Sequence, residues 1–102
     1  MTENCLVLIG SVAKTAELSI SPAGIAHIKF SLEHRSLQTE NGLTRQVFAR
    51  MQVVATGQWS QNLSREIIVG SNVKVSGFIN RHETRNGNPI LVLHAQQIEM
   101  IN

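Results

Sequence analysis

Aspartate is absent from this sequence, and its seven acidic residues are all glutamate. That absence weighs against catalytic aspartate pairs, aspartate-held metal ions and a Ser-His-Asp triad. Cysteine is nearly absent too: Cys5 is the one thiol, so no disulfide can form within the chain. Because Cys5 lies in an apolar run, where a buried thiol is common, we expect it to be buried. A chain without disulfides suits the reducing cytoplasm, which is the compartment we expect.

Long hydrophobic runs are missing as well. The apolar stretch near the start ends at Ile9 and has no basic segment before it, which excludes the pattern of a signal peptide or a membrane span. Over 102 residues, 42% hydrophobic and 16% charged residues are typical of a globular chain. The length suits a single domain that covers residues 1–102, and we expect no membrane partner.

Motifs for catalysis and cofactor binding are also lacking. The sequence contains neither a Gly-x-Ser-x-Gly nucleophile elbow nor a glycine-rich phosphate loop. None of its four histidines has a cysteine or a second histidine at metal-ligand spacing: His27, His34, His82 and His94. His94 is better explained as a partly buried ring with a hydrogen-bond partner. We therefore expect no enzymatic activity, no metal and no cofactor.

What the sequence does contain is the alternation of apolar and polar residues that is typical of β-strands. Ala26, Ile28, Phe30 and Leu32 share one face of a predicted strand. Five such runs, separated by turn signals such as Asn-Gly, are centred on residues 6–14, 25–37, 46–55, 73–79 and 90–95. Gly10 lies inside the first run and predicts a bulge or a sharp bend there.

The longest connection lies between the third and fourth predicted strands. From Gly57 to Gly70 the period breaks, and the residues suit at most a short helix or a structured loop. Five strands with an irregular insert after the third predict an all-β fold, a five-stranded OB-fold Greek-key barrel. An SH3-like barrel shares much of this pattern and stays an alternative.

Phe48 is the residue that points most directly to a function. Its neighbours two residues away, Gln46 and Arg50, are polar, so the alternation places the aromatic ring on the solvent face of the third strand. One interpretation is that Phe48 packs against a second layer, such as another subunit or the irregular insert. The other is a stacking platform for a nucleobase, because proteins that bind single strands combine exposed aromatic rings with cations that follow the phosphates.

Cations are available on the same face and at the ends of the predicted strands. Any one of them alone is typical of a solvated surface. Together they could line one concave face, because OB-folds bind across strands two and three and between the loops of the first and last hairpins: Arg35, Arg50, Lys14, Arg81 and Arg85.

The other aromatic residues carry different predictions. Phe30 shares its face with Ile28 and Leu32 and is predicted to lie in the core. Phe78 has the opposite parity to Ile79, so a core position and an exposed position both stay open. Trp59, in the irregular insert, is predicted to pack against one end of the barrel.

Several sequence segments resemble the primosomal replication protein N (PriB) family of bacteria. The segments are spread over nearly the whole chain, and the most specific are Leu32-Glu-His-Arg-Ser36 and Leu93-His-Ala-Gln-Gln-Ile-Glu99. The resemblance implies a homodimeric OB-fold, related to single-stranded DNA-binding protein, that takes part in the restart of stalled replication forks. Members of this family bind single-stranded DNA, stabilise the PriA helicase on a fork and help to recruit DnaT. A contact with single-stranded DNA-binding protein is a further implied interaction.

The resemblance also assigns site residues and shows where this chain departs from the family. It implies that Phe48 stacks on DNA and that Arg35 is the basic residue of the second strand. Leu43 stands where an aromatic residue is expected near the tip of the second hairpin. In the last hairpin, Arg85 keeps a cation, whereas Glu83 and Ile90 stand where lysines are expected.

Two functions of different classes follow from these observations. The first is a single-stranded DNA-binding restart factor. The second is an interaction module whose dimer joins a helicase to a loader while binding DNA weakly. In a monomer, the apolar run from Cys5 to Ile9 would be an exposed edge strand that is prone to aggregation. We therefore expect it to pair with the same run of a second copy.

Overall fold

The described part of the polypeptide forms five strands and one short helix. The computed structural model describes residues 2–101, and its elements are β1 (Leu6–Ile20), β2 (Ala26–Glu40), β3 (Leu43–Thr56), α1 (Gln58–Leu63), β4 (Asn72–Glu83) and β5 (Pro89–Ile101). The strands close into a barrel in the order β1-β2-β3-β5-β4. All neighbouring strands are antiparallel except β3 and β5, which run parallel. The predicted all-β barrel with a short helix after the third strand is confirmed.

The core is built from the inward faces that the alternation predicted. On β2, Ile28, Phe30 and Leu32 are at most 2% exposed, and Phe30 therefore lies in the core as expected. On β3, Val53 and Ala55 continue the same cluster. Side chains of a strand alternate between its two faces, so burying this set directs the intervening residues of β2 and β3 outwards.

Strand β1 divides its length between two neighbours. Its first part, from Leu6 to Ser11, pairs with β4, and the part from Ser11 to Ile20 pairs with β2. Gly10 lies where β1 approaches β2, and a Cβ on Gly10 would collide with the carbonyl oxygen of Glu33. The irregularities of the β1–β2 ladder follow later, between Val12 and Glu17, so Gly10 permits a close approach and the predicted bulge lies further along β1.

Strands β2 and β3 form a hairpin that extends well beyond the barrel. Their register runs without a shift from the pair His27 and Thr56 to the pair Glu40 and Leu43, whereas β3 meets β5 only over residues 52–55. The turn uses Asn41 and Gly42 with φ of 51° and 75°, the two positive values that an Asn-Gly turn supplies and that match the twist of the strands. We call residues 35–48 of this hairpin the arm.

The insert between β3 and β4 covers one end of the barrel. Trp59 and Leu63 pack against the core, as predicted for Trp59, and Ile67 is fully buried. The backbone of Gly70 donates a hydrogen bond to the carbonyl of Val12 at 2.9 Å, which fastens the insert to β1.

One expectation about the start of the chain is wrong. Cys5 is exposed rather than buried, because it precedes the first residue of β1 and does not reach the inward face that begins at Leu6.

Among residues 2–101, the chain has no helix that is both long and apolar enough to cross a membrane.

Candidate nucleic-acid interface

The outward faces of β2 and β3 form one continuous surface, because the register places their outward residues in opposite pairs. Ser31 lies opposite Gln52, Glu33 opposite Arg50 and Arg35 opposite Phe48. We call this surface the β2–β3 stripe and define it by these pairs together with the pair Lys29 and Val54. Successive pairs are about 7 Å apart along a strand, so the stripe runs about 20 Å from the barrel onto the arm.

Phe48 occupies the far end of the stripe and is 55% exposed. The guanidinium carbon of Arg35 lies 4.4 Å from the ring centroid, which is cation–π geometry. The two residues also border a shallow depression of about 520 Å³ with Leu37 and Gln46. An aromatic ring and a permanent cation are thus presented together to solvent on the arm.

Arg50, in the middle of the stripe, is engaged by an acidic neighbour. Its Nη2 atom donates to a carboxylate oxygen of Glu33 at 2.8 Å. Ser31 is almost fully buried although it faces outwards, and its hydroxyl accepts a hydrogen bond from Gln52 Nε2 at 3.1 Å. The ion pair holds the Arg50 and Glu33 side chains together and lowers the net positive charge that the middle of the stripe offers to a phosphate.

The stripe leads into a groove of about 590 Å³ between β1 and the β4–β5 hairpin. Lys14, Lys29 and Arg85 supply cations to this groove, and Glu17 and Glu83 supply carboxylates. Its apolar lining includes Val54 and Val92 of the two parallel strands, together with Phe30 and Ile90. The groove therefore combines apolar surface with a small excess of positive charge.

Two of the predicted site residues, Arg81 and Leu43, belong neither to the stripe nor to the groove lining. Arg81 does not line the groove within the part of the chain that the structure describes, and its Nη2 atom pairs with the Glu83 carboxylate at 3.5 Å. Leu43 is the first residue of β3 at the tip of the arm and is 56% exposed. The structure thus brings Arg35, Arg50 and Phe48 onto the stripe and Lys14 and Arg85 into the groove.

Sequence reasoning missed a cluster of three rings beside the groove. The Nε2 atoms of His82 and His94 are 2.8 Å apart, and the Phe78 ring stacks on His94 with centroids 4.9 Å apart. The absence of metal-ligand spacing between histidines in the sequence did not reveal that two of them meet in space. The two residues are twelve positions apart, but the β4–β5 register places Phe78 opposite His94, four residues before His82. Strand pairing, rather than sequence spacing, was the signal that could have found the cluster.

The ring cluster perturbs one titration. Burial lowers the pKa of His94, and repulsion by a charged His82 lowers it further. In residues 2–101, no three potential metal ligands among His, Cys, Asp and Glu come together. The cluster is a hydrogen-bonded pair of imidazoles tilted by 40° to each other, with the Phe78 ring stacked on His94.

Taken together, these surfaces suit an extended, negatively charged polymer with flat rings. Phe48 can stack on a ring of such a polymer, and Arg35, Lys14, Lys29 and Arg85 can follow its phosphates.

Comparisons with known proteins agree with this chemistry. A family model described as "Another single-strand binding protein family" matches residues 4–97. The chain is 56% identical over 102 residues to the replication restart protein PriB of Photorhabdus laumondii, and the match covers 100% of this chain and 97% of that protein.

Solved structures show the same fold. PriB from Ralstonia solanacearum superposes with a TM-score of 0.80 at 22% sequence identity, covering 99% of this chain and 100% of that one. The single-stranded DNA-binding protein of Plasmodium falciparum, solved as a complex with single-stranded DNA, superposes with a TM-score of 0.81 at 17% identity, covering 100% of this chain and 97% of that one. These likenesses confirm the OB-fold and, with the sequence match over the full length, they show that the chain belongs to the PriB family of replication restart proteins, within the single-strand binding proteins.

Proposed function

We propose that this protein binds single-stranded DNA as an accessory factor of replication restart and performs no catalysis of its own. The observation that carries the proposal is the exposed Phe48 ring beneath Arg35, at the end of a stripe that continues into a groove with three cations. Stacking of bases on an aromatic ring contributes about 1–3 kcal/mol per base and tolerates any sequence. An accessory factor at stalled forks needs such tolerance, because forks stall at unrelated sequences.

The finer part of the proposal concerns partners. Relatives with more than half of their residues identical are named replication restart protein PriB, which supports a place in the restart primosome. We assign to this chain the partners that the family resemblance implies: the PriA helicase, which it stabilises on DNA, DnaT, which it helps to recruit, and single-stranded DNA-binding protein. It acts in the cytoplasm, without a cofactor.

A second candidate function is a protein bridge with weak affinity for DNA. It is favoured by the ion pair of Arg50 with Glu33 and by the two carboxylates that face the groove, Glu17 and Glu83. Each of these features lowers the attraction of the surface for phosphates.

The experiment that separates the two functions is a fluorescence anisotropy titration of labelled oligothymidine at two salt concentrations. A DNA-binding factor gives saturable binding whose logarithmic salt dependence has a slope of about 0.7 per neutralised phosphate. If the anisotropy does not rise at protein concentrations of tens of micromolar in low salt, DNA binding is rejected and the bridge function stands.

The proposed assembly is a homodimer built on the first part of β1. Within residues 2–101, Leu6 to Gly10 pair with β4 on one edge and have no ladder partner on the other. His34 Nδ1 lies 2.7 Å from the Ile9 carbonyl oxygen and so donates to one acceptor of that edge. Val7 and Ile9 are 55% and 50% exposed on the outward face. An exposed apolar edge of this kind is a template for a second strand, and the same edge of a second copy supplies one.

Sedimentation equilibrium tests the dimer directly. We expect twice the monomer mass at tens of micromolar for the unmodified protein and folded monomers for Val7→Glu. Leu18→Glu is the matched control, because Leu18 is an exposed apolar residue in the part of β1 that pairs with β2. A monomer in the unmodified protein, or a dimer that survives Val7→Glu, contradicts this assembly.

A further inference from the structure

The two histidines beside the groove share one hydrogen position. An Nε2 atom carries at most one hydrogen, so at 2.8 Å one of the two rings donates and the other accepts. The Phe78 ring lies within 6° of parallel to the His94 ring, with centroids 4.9 Å apart, and so stacks on it. His82 itself lines the groove. One ring of the pair is thus held in place and the other is presented to whatever occupies the groove.

This pair can hold one positive charge but not two. With one charge, the protonated ring donates to the neutral ring in a charge-assisted hydrogen bond, which keeps the observed geometry. With two charges, both Nε2–H groups would point at each other over 2.8 Å. Burial and the nearby His82 lower the pKa of His94, so His94 is the ring that stays neutral. Because the neutral ring must accept the shared hydrogen bond, the pair takes up at most one proton, and the groove-lining His82 is the ring that carries it.

The net charge of the groove is small, so one extra proton on the histidine pair changes it substantially. Three elements direct ionisable side chains into the groove with His82: Lys14 and Glu17 from β1, Lys29 from β2, and Glu83 and Arg85 from the β4–β5 hairpin. Strand β3 contributes the uncharged Gln52 and Val54. Three cations line the groove against two carboxylates, and one of these carboxylates, Glu83, is also paired with Arg81 at 3.5 Å. The groove therefore has a net positive charge, which protonation of the pair raises by one. Glutamates and lysines do not change charge between about pH 6 and 8, whereas histidine does.

We infer that His82 is a phosphate-contacting residue of the groove, that His94 and Phe78 position it, and that its contact strengthens when the histidine pair takes up a proton. The inference rests on the proposed binding of single-stranded DNA. It assigns to the β4–β5 hairpin a cation that depends on pH, next to Glu83 at the end of β4.

The test is the oligothymidine titration at about pH 6 and about pH 8, in about 0.1 M salt, with the full chain. At this ionic strength charges more than about 10 Å away are largely screened, so distant histidines contribute little. We expect the unmodified protein to bind about two- to fivefold more tightly at the lower pH, the range of an exposed ion pair. His82→Gln removes this difference. His27→Gln keeps it, because His27 contacts Thr56 and does not line the groove.

Positioning is tested by Phe78→Leu, which removes the stacked ring and keeps an apolar side chain. We expect a smaller pH response with nearly unchanged affinity at about pH 8, a result that a general loss of stability would not produce. Calorimetry of the unmodified protein in two buffers of different ionisation enthalpy measures proton uptake without any substitution. We expect a net uptake of up to one proton near pH 6.5.

The outcomes separate this inference from the proposed function. If DNA does not bind at any pH, the proposed function is wrong and the inference is wrong with it. If DNA binds but His82→Gln keeps the full pH response, or calorimetry detects no proton uptake, DNA binding stands and the role of His82 is rejected.

Discussion

Truncation of Phe48 is the substitution that distinguishes a binding residue from a packing residue most clearly. Phe48 is 55% exposed, so Phe48→Ala leaves a gap on the surface rather than a cavity in the core. The lost burial is about half of a phenylalanine, or about 1 kcal/mol, and the contact with Arg35 adds about 0.5–1 kcal/mol. We therefore expect the free energy of unfolding to fall by about 1–2 kcal/mol, with a melting temperature lower by about 5–15 °C.

Phe48→Ala is also expected to weaken the binding of single-stranded DNA. Removing one stacked base costs about 1–3 kcal/mol, which corresponds to a five- to hundredfold rise in Kd for oligothymidine. The assay is fluorescence anisotropy at a temperature well below the melting transition, so that the variant is folded throughout. Circular dichroism melts of the same samples give the stability.

A matched control comes from the opposite face of the neighbouring strand. Phe30 is 2% exposed, and Phe30→Ala is expected to destabilise the fold by about 3–5 kcal/mol because it opens a cavity. If Phe48→Ala behaves like this control in the melt, Phe48 is a packing residue. If it melts almost normally and binds oligothymidine as tightly as the unmodified protein, Phe48 is exposed without contacting DNA. Either result refutes the stacking interpretation.

Two further substitutions test the groove and the crossing of β1 with β2. Glu83→Lys replaces a groove carboxylate that repels phosphates, so it should tighten the binding of single-stranded DNA. The logarithmic salt dependence of binding should become steeper by about 0.7 in slope. If the affinity and the slope are both unchanged, the DNA path lies away from the β4–β5 hairpin. Gly10→Ala should lower the free energy of unfolding by about 1–3 kcal/mol, because its Cβ would press on the backbone of Glu33, and a denaturant titration with an unchanged midpoint would contradict the close approach.

The parts of the fold that follow from local chemistry were predictable from the sequence. Apolar alternation on β2 identified the core face that carries Ile28, Phe30 and Leu32, and the same rule applied to β3 placed Phe48 in solvent. The Asn41-Gly42 turn fixed where the long hairpin reverses, because both residues adopt positive φ there.

The parts that depend on which strands become neighbours were not predictable in this way. Periodicity identifies the face of a residue but not the residue beside it on the next strand. The contact of His82 with His94 and the ion pair of Arg50 with Glu33 both depend on register. The exposure of Cys5 depends on where β1 begins, and the boundary of an element is less strongly encoded than its periodic centre.

The arm has a mechanical consequence that its residues alone do not reveal. Strand β3 is paired with β5 only from Gln52 to Ala55, and β2 is paired with β1 only as far as Glu33, so among the described residues the strands of the arm pair only with each other. A two-stranded ribbon without a third strand is marginally stable by itself, and its amide hydrogens should exchange with solvent earlier than those of the barrel. Arg35 and Phe48 thus lie on a flexible arm, and bound single-stranded DNA that orders the arm costs conformational entropy. Substitutions that rigidify the arm at positions that do not contact DNA should therefore raise the affinity for DNA by slowing its dissociation. The structure of the barrel should not change.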